Sequence, residues 1–406
     1  MISGIFVGIY VARHLGPSNF GMLSYAVSFV SIFGAAAKLG FDAVLVRDLI
    51  THQGKILDYL GTAFWLKFIA GFLGMGLIFT GSLAITGDIR NNVLILIISL
   101  SLVFQAFEVI DFYFQSKVSA KHISICKVIQ LSISAALKLV FIYVDADLVW
   151  FAALVLFDAI ALAVFMQIAF RLGRKGLQAG YLTRFNSHIA REMLIESWPL
   201  CVSAISTILY MRIDQLMISS YLGDHALGIY SAAIRLTEVW YFVPMVISSS
   251  IYPALINARN SNYPLYVRRV QRLYSFLIWS GIAIAVFGTL FGSQIIHFLY
   301  GSQFHEAGTI VAIHIWTVVF MAILVSSGKF LTAESKPLYI LERNLLAALS
   351  NFFLNLLLIP QLGLAGAALS AVIGVFISAV AYDFIRKTSR QYFLMKWNGL
   401  IFRGVR

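Results

Sequence analysis

Long runs of apolar residues alternate with short polar turns along almost the whole chain. A helix that crosses the hydrocarbon core of a bilayer needs about 20 predominantly apolar residues. Eleven runs reach that length, and they cover residues 20–46, 59–86, 92–114, 122–143, 148–171, 193–222, 226–256, 273–299, 307–332, 339–360 and 364–385. The pattern predicts an all-α polytopic membrane protein.

A shorter run, MISGIFVGIYVA, precedes these eleven and ends before Arg13. Its twelve residues would extend about 18 Å as a helix, which is too short to cross alone. We interpret it as the second half of a first helix. Either the chain is truncated, or its start site is assigned too late. A cleaved signal peptide is disfavoured because a basic start and a small-residue cleavage site are missing. We therefore expect twelve transmembrane helices.

The composition favours lipid over water as the main solvent of the chain. Of its 406 residues, 60% are hydrophobic and 12% are charged, whereas soluble domains carry about 25% charged residues. The two cysteines, Cys126 and Cys201, lie in apolar runs and belong to no cysteine–histidine cluster. We therefore expect no metal and no other cofactor.

Positive charge is concentrated on one side of the predicted bundle. With twelve helices, 23 Lys and Arg residues fall in the tail and in the connections after even-numbered helices, and only Arg13 and Arg90 fall in the others. The positive-inside rule then places the C-terminus in the cytoplasm. Nucleic acid is not needed to explain the net charge of +12, because the basic residues form no single stripe interleaved with aromatic residues.

An element near the N-terminus recurs in the second half of the chain. Five residues reappear 207 positions later without a gap, Leu15, Gly16, Gly21, Ser24 and Ala26 as Leu222, Gly223, Gly228, Ser231 and Ala233. The copies lie six helices apart, and an even number of helices returns the chain to the same side. The repeat therefore predicts two six-helix bundles related by an axis along the membrane normal, with glycine turns and tight packing in each copy.

The repeat and the longest polar connection give the predicted domain boundaries. Residues 1–171 form an N-terminal six-helix bundle, residues 172–192 a cytoplasmic linker, residues 193–385 a C-terminal six-helix bundle and residues 386–406 a basic cytoplasmic tail. Two bundles with a cleft between them can open to either side of a membrane in turn, which is alternating access.

Eleven ionisable residues fall within the predicted spans, where charge is costly and usually faces water or a partner. The cations are Lys38, Lys67, Lys138, Arg212 and Arg235, and the acids are Asp42, Glu108, Asp111, Asp158, Asp214 and Glu238. A cleft lined by cations would attract a large anion such as a pyrophosphate, since Arg binds phosphate as a bidentate fork. The cations are therefore candidate substrate-binding residues, and the acids are candidate supporting or ion-coupling residues.

These residues also have structural interpretations. Three pairs share a helix face at i,i+3 or i,i+4 spacing, namely Lys38 with Asp42, Arg235 with Glu238, and Glu108 with Asp111. The first two pairs either neutralise one another or serve the cleft. The third pair either shares a proton or a cation, or reaches the cytoplasmic interface.

The remaining cations differ in how deeply they lie. Lys67 and Lys138 are one to two turns from a helix end, so each either extends to the interface or faces a cavity. Arg212 lies deeper, and Asp214 at i+2 points away from it. We expect its balancing anion to come from another helix or from a ligand.

Two long stretches resemble a known family. VARHLGPSNFGMLSYAVSFVSIFGAAAKLGFDAVLVRDL, from Val11 to Leu49, resembles the N-terminal signature of bacterial polysaccharide or O-antigen flippases. YMRIDQLMISSYLGDHALGIYSAAIRLTEVWYFVPMVISSSIYPAL, from Tyr210 to Leu255, resembles their second-half signature. The resemblance implies membership of the multidrug/oligosaccharidyl-lipid/polysaccharide exporter superfamily and a fold similar to the multidrug and toxic-compound extruders.

The same resemblance implies a function. It implies that undecaprenyl-pyrophosphate-linked oligosaccharide moves from the cytoplasmic to the periplasmic face of the bacterial inner membrane. The implied partners are this lipid-linked substrate, membrane lipid, a polysaccharide polymerase and a chain-length regulator. A multidrug exporter on the same fold is the alternative. An enzyme of the same pathway is not expected, because outer loops such as TGDIRN and YVDADL leave little room for a catalytic domain.

Overall fold

The computed structural model describes residues 2–85, 89–173, 180–334, 336–386 and 389–401, and these residues form helices and connections without a strand. The first half contains α1 (Ile2–Ala37), α2 (Phe41–Thr51), α3 (Ile56–Ile85), α4 (Ile89–Ser99), α5 (Ser101–Phe104), α6 (Val109–Ser116), α7 (Ala120–Tyr143) and α8 (Leu148–Gly173). The second half contains α9 (Ser187–Glu238), α10 (Phe242–Ser261), α11 (Tyr263–Tyr300), α12 (Ala307–His314), α13 (Thr317–Ala333), α14 (Pro337–Leu362), α15 (Leu364–Phe376), α16 (Tyr382–Ile385) and α17 (Arg390–Leu400). Several basic residues assigned above to the linker and the tail lie outside the described residues, namely Arg174, Lys175, Lys387, Arg403 and Arg406.

Within the described ranges, nine helical stretches are long and apolar enough to cross a membrane, or ten if the bent pair α12 and α13 counts as one span. The chain is therefore a multi-pass membrane protein, as predicted. Two stretches far exceed one crossing, since Phe6–Thr51 has 46 residues and Ser187–Tyr252 has 66. Each contains an internal break at a glycine. The count of twelve spans stays a prediction.

The breaks fall at the glycines of the repeated element. Gly16 has φ 70° and ψ 170°, and Gly223 has φ 82° and ψ 174°. Side chains with a Cβ rarely adopt such positive φ values, whereas glycine does so at little cost. Pro17 follows the first break, where its missing N–H costs nothing at a helix start. The predicted glycine turns are confirmed.

The chain divides into two compact units. Unit 1 comprises Met1–Leu15 and Met22–Ile208, and unit 2 comprises Gly16–Gly21 and Leu209–Arg406. The chain therefore passes from unit 1 to unit 2 inside α9. The domain boundaries given above, with a linker at residues 172–192, stay a prediction. The first part of α9 packs within unit 1, where Glu196 accepts a hydrogen bond from Arg47.

The two copies of the repeated element meet within unit 2. A Cβ placed on Gly21 would lie 1.8 Å from the carbonyl oxygen of Asp224, and a Cβ on Gly228 would lie 1.9 Å from that of Pro17. With the offset of 207 residues, these are the same contact made twice. No side chain fits at either glycine, so the predicted tight packing is confirmed.

The described end of the predicted linker, residues 180–186, packs on α3 in unit 1. The Trp65 Nε1–H donates to the carbonyl oxygen of Leu182 at 2.9 Å, and the backbone N–H of Asn186 donates to Thr62 Oγ1 at 3.0 Å. Tyr181 is 1% exposed. These contacts hold the segment against unit 1 immediately before α9 begins.

Each unit has an apolar core of its own. The core of unit 1 includes Leu45 of α2, Leu60 of α3 and Ile110 of α6. The core of unit 2 includes Leu277 of α11 and Val318 of α13. The ionisable residues singled out above are therefore positioned by two separate packed bundles.

Candidate functional site

Three charged side chains meet inside unit 1. Lys67 Nζ donates to Glu108 Oε2 at 2.9 Å, and Lys38 Nζ lies 3.5 Å from Glu108 Oε1. Lys67 is 1% exposed, so its side chain does not extend to an interface. We call Lys38, Lys67 and Glu108 the unit 1 cluster.

Of the two alternatives for Lys38 and Asp42, mutual neutralisation does not occur in the structure. Helix α1 ends at Ala37 and α2 begins at Phe41, so the i,i+4 spacing does not place the two side chains on one continuous helix face. Asp42 is exposed in the first turn of α2 and has no ion pair within the described ranges. The broken helix leaves Lys38 free to reach Glu108.

The break between α1 and α2 has a clear backbone basis. Leu39 and Gly40 have φ values of 56° and 66°. A Cβ on Gly40 would lie 2.5 Å from the backbone nitrogen of Cys201 in α9. Glycine thus permits the close approach of α9 to this turn. Broken helices commonly surround ligand sites in membrane transporters.

Glu108 and Asp111 do not share a cation. Glu108 ends a 3₁₀ segment, Gln105–Glu108, and faces the lysines of the unit 1 cluster. Asp111 accepts from Lys127 Nζ at 2.7 Å and from Gln115 Nε2 at 2.9 Å. Each acid has a separate cation, which removes the reason for a shared proton or a bridging ion.

Lys138 and Asp158 form a looser polar group between α7 and α8 in unit 1. Asp158 accepts from Gln130 Nε2 at 2.7 Å and from Ser134 Oγ at 2.9 Å. Lys138 Nζ lies 3.9 Å from Asp158 Oδ2. The hydrogen bonds hold the acid in place, and the lysine, a third exposed, lies at the edge of the group.

In unit 2, Glu238 is the acid that balances Arg212. Arg212 Nη1 lies 3.5 Å from Glu238 Oε1, and the two residues stand on opposite sides of the Gly223 break in α9. Of the two alternatives for Arg235 and Glu238, mutual neutralisation as an ion pair therefore does not occur. The Arg235 guanidinium instead lies over the ring of Phe20, 4.5 Å from its centroid, in the cation–π range. Within the described residues, Arg235 forms no ion pair.

Asp214 points away from Arg212, as expected. It accepts from the Tyr230 hydroxyl at 2.5 Å and from the backbone N–H of Gln215 at 2.8 Å. Asp214 is 3% exposed and Tyr230 is fully buried. Sequence reasoning missed Tyr230, because a tyrosine in an apolar helix gives no sign that it will bind an acid 16 residues away.

The two units share one charge pattern. Unit 1 places Lys38 and Lys67 against Glu108, and unit 2 places Arg212 and Arg235 near Glu238. The unit 1 cluster holds two cations for one carboxylate. In unit 2 the carboxylate of Asp214 also lies near Arg212, and Arg235 forms no ion pair within the described residues. A surplus cation in an apolar span is costly unless it meets water or an anionic ligand. The described ranges contain no group of three or more His, Cys, Asp or Glu side chains placed to hold a metal ion.

Sequence reasoning missed a third cluster at the end of unit 2. Arg343, Asp383 and Lys396 are between 0% and 3% exposed. The charge count above had included Arg343 in a cytoplasmic connection and Lys396 in the cytoplasmic tail. Lys396 donates to Asp383 and, at 2.6 Å, to the carbonyl oxygen of Ala379. Burial, and then repulsion by Arg343, lowers the pKa of Lys396 to about 8. The helical spacing of the buried residues Tyr392 and Lys396 in α17 could have revealed this inner face.

Comparison with known proteins gives the family of the chain and a named relative. A family model described as polysaccharide biosynthesis protein matches residues 10–309. The chain is 23% identical over 197 residues to a probable low-salt glycan biosynthesis flippase, Agl15, of Haloferax volcanii. This match covers 48% of the chain and 41% of the relative, so the chain spans less than half of the relative's length.

Two solved structures share the fold of the whole chain. An inward-facing multidrug resistance MATE family transporter of the MOP superfamily has a TM-score of 0.74 at 14% identity, over 98% of this chain and 95% of that one. The lipid II flippase MurJ, in an inward closed conformation, has a TM-score of 0.68 at 16% identity, over 100% of this chain and 89% of that one. The predicted likeness to the multidrug extruder fold is confirmed.

Proposed function

Since the chain belongs to the polysaccharide biosynthesis protein family, we propose that it is a flippase for lipid-linked oligosaccharides. The proposed substrate is an undecaprenyl-pyrophosphate-linked repeat unit of an O-antigen or exopolysaccharide, moved from the cytoplasmic to the periplasmic face. The Haloferax relative is named as a glycan biosynthesis flippase, and the structural relative MurJ as a lipid II flippase, which supports this class of substrate.

The observation that carries the proposal is a second cation beside the ion pair of each unit. Two cations face one carboxylate in the unit 1 cluster. In unit 2, Arg212 pairs with Glu238, and Arg235 lies near this pair without an ion pair of its own within the described residues. A pyrophosphate carries the negative charge that such clusters lack, and it binds guanidinium and ammonium groups through charge-assisted hydrogen bonds. A lipophilic cation, as a drug substrate, would be repelled by the same groups.

The proposal includes a location and partners. We place the chain in the bacterial inner membrane with the C-terminus in the cytoplasm, which the concentration of Lys and Arg in alternate connections supports. A polysaccharide polymerase and a chain-length regulator are the proposed protein partners. We propose transport without a catalytic step, by alternating access.

The test is to extract polyprenyl-linked lipids from a host with and without this gene and to read them by mass spectrometry. A lectin or glycosidase added to spheroplasts and to inverted vesicles then reports the face on which each lipid lies. We expect one defined oligosaccharide unit to accumulate on the cytoplasmic face in the deletion strain and to disappear on complementation.

The same strains test the alternative, multidrug export. Equal lipid profiles in both strains, together with drug sensitivity of the deletion strain, would contradict the flippase proposal and favour drug export. A strain known to make the glycan is required, and deletion of the glycosyltransferase that starts the unit provides the control without substrate.

A further inference from the structure

A groove on unit 1 lies apart from the charged clusters. It is a cavity of about 260 Å³ between α8 and the end of α5, with Phe104 and Phe107 on one wall and Val164 and Ile168 on the other. Val164 and Ile168 are each 48% exposed although they belong to a membrane-spanning helix. The groove is therefore open to the hydrocarbon of the bilayer.

The groove changes from apolar to polar along α8. Its lining runs from Ala163 and Val164 to Gln167 and then to Arg171, so the polar residues stand one turn apart at the C-terminal end of the helix. Arg171 is exposed and has no ion pair within the described residues. A phospholipid has the same division, with a charged phosphate at one end and hydrocarbon beyond it.

Gln167 is oriented by a neighbouring tyrosine. The Tyr181 hydroxyl donates to Gln167 Oε1 at 2.9 Å, and Tyr181 is itself buried against Phe64 and Phe170. The bond occupies the oxygen of the amide and leaves its N–H₂ group as a donor. Gln167 and Arg171 thus offer an amide donor and a guanidinium fork at the polar end of one groove, which suits an anionic oxygen acceptor.

A second cavity widens the apolar surface next to the first. It has a volume of about 320 Å³ and is lined by Ile125, Ile129, Phe165, Leu172 and also Ile168, which both cavities share. Hydrocarbon chains can therefore lie on both sides of Ile168. Each cavity is at or below the size usual for a drug-sized ligand, so a chain segment fits and an oligosaccharide does not.

We propose that this groove is a binding site for an anionic phospholipid, whose phosphate meets Arg171 and Gln167 and whose acyl chains lie along Val164 and Ile168. Charge complementarity selects the occupant. A zwitterionic lipid places a cationic headgroup next to Arg171, whereas phosphatidylglycerol does not. In the orientation proposed above, the C-terminal end of α8 lies on the cytoplasmic side. The lipid then belongs to the cytoplasmic leaflet, where anionic headgroups attract Arg and Lys.

The test uses the purified full chain in detergent, titrated with dioleoylphosphatidylglycerol or dioleoylphosphatidylcholine, with bound lipid counted by native mass spectrometry. We expect preferential retention of phosphatidylglycerol and about tenfold weaker binding in Arg171→Ala, the effect of losing one charged hydrogen bond. Arg171→Lys should recover part of the binding, because it keeps the charge without the fork. Val164→Trp should weaken binding of both lipids by filling the groove.

Arg191→Ala is the matched control, since Arg191 is an exposed cation on α9 that lines neither cavity. Equal binding of the two lipids, or wild-type affinity in Arg171→Ala, would overturn the proposal.

Undecaprenyl phosphate serves as the competitor. If it displaces phosphatidylglycerol at equal concentration, the groove belongs to the transported lipid and the proposed occupant is wrong. The flippase proposal is tested separately, by the lipid profile of the deletion strain.

Discussion

Among the described residues, Glu108 is the carboxylate that forms ion pairs with both Lys38 and Lys67 of unit 1. Lys67 is almost fully buried and has Glu108 as its partner at 2.9 Å, while Lys38 lies at 3.5 Å and is less than half exposed. Removing one member of a buried ion pair leaves the other charge without compensation. Loss of the Glu108 carboxylate should therefore lower the free energy of unfolding more than loss of either lysine alone.

Replacing Glu108 with Gln should destabilise the protein by about 3 kcal/mol, because the charge of Lys67 then remains buried without a carboxylate. Thermal unfolding in detergent is the measurement. Asp42→Asn is the control, since Asp42 is exposed, and its effect should stay within about 0.5 kcal/mol. The double variant Glu108→Gln/Lys67→Met should recover part of the loss. Equal unfolding temperatures for Glu108→Gln and Asp42→Asn would contradict this account.

At the residue scale, the sequence identified the charged residues, but the pairs that helix spacing offered as one alternative do not form. Spacing rules find partners on one helix, and they failed for Lys38 because α1 ends at Ala37. The partners that form are distant in sequence, by 41 residues for Lys67 with Glu108 and by 26 for Arg212 with Glu238. Hydropathy and spacing carry no information about such distant pairs.

At the element scale, the contact between the two copies of the repeat depends on two glycines. Gly21 approaches the carbonyl of Asp224, and Gly228 approaches that of Pro17. Backbone atoms cannot rotate away as the end of a flexible side chain can. An added methyl group must therefore push the two segments of unit 2 apart.

Gly21→Ala and Gly228→Ala should each destabilise the protein by about 2 kcal/mol, an overpacking effect that outweighs the better helix propensity of alanine. Gly76→Ala is the matched control, because Gly76 also lies in a helix and a methyl group added there would have no atom of another segment within 4 Å among the described residues. The control should be neutral or slightly stabilising. Unfolding temperatures that fail to separate Gly21→Ala from Gly76→Ala would exclude the close contact.

The elements themselves were predictable to different degrees. The spans and the breaks at Gly16 and Gly223 follow from hydropathy and from turn-forming glycines in a repeated context. The break at residues 38–40 was missed, because Leu39 adopts a positive φ of 56° that its residue type disfavours. The packing of α9 against Gly40 imposes this turn, and tertiary packing is not visible in a local pattern.

At the scale of the whole molecule, the same charge pattern occurs once in each half of the chain. The halves share the backbone break at Gly16 and Gly223, yet their clusters use lysines in unit 1 and arginines in unit 2. The pattern is therefore not a simple copy of the repeated residues. The proposed transport of an anionic substrate gives each unit a reason to keep such a cation.

This proposal predicts how transport responds when these cations are removed. Lys38→Gln and Arg235→Gln each take away a cation that is not the sole partner of a buried acid. Each variant should express normally and lower flipping about tenfold, since one charged hydrogen bond to the pyrophosphate is lost. The double variant should lose more flipping activity than either single variant.

The measurement is accumulation of the lipid-linked unit on the cytoplasmic face of complemented deletion strains. Asp42→Asn should transport normally, and a double variant that flips as well as the wild type would show that the clusters do not bind the substrate.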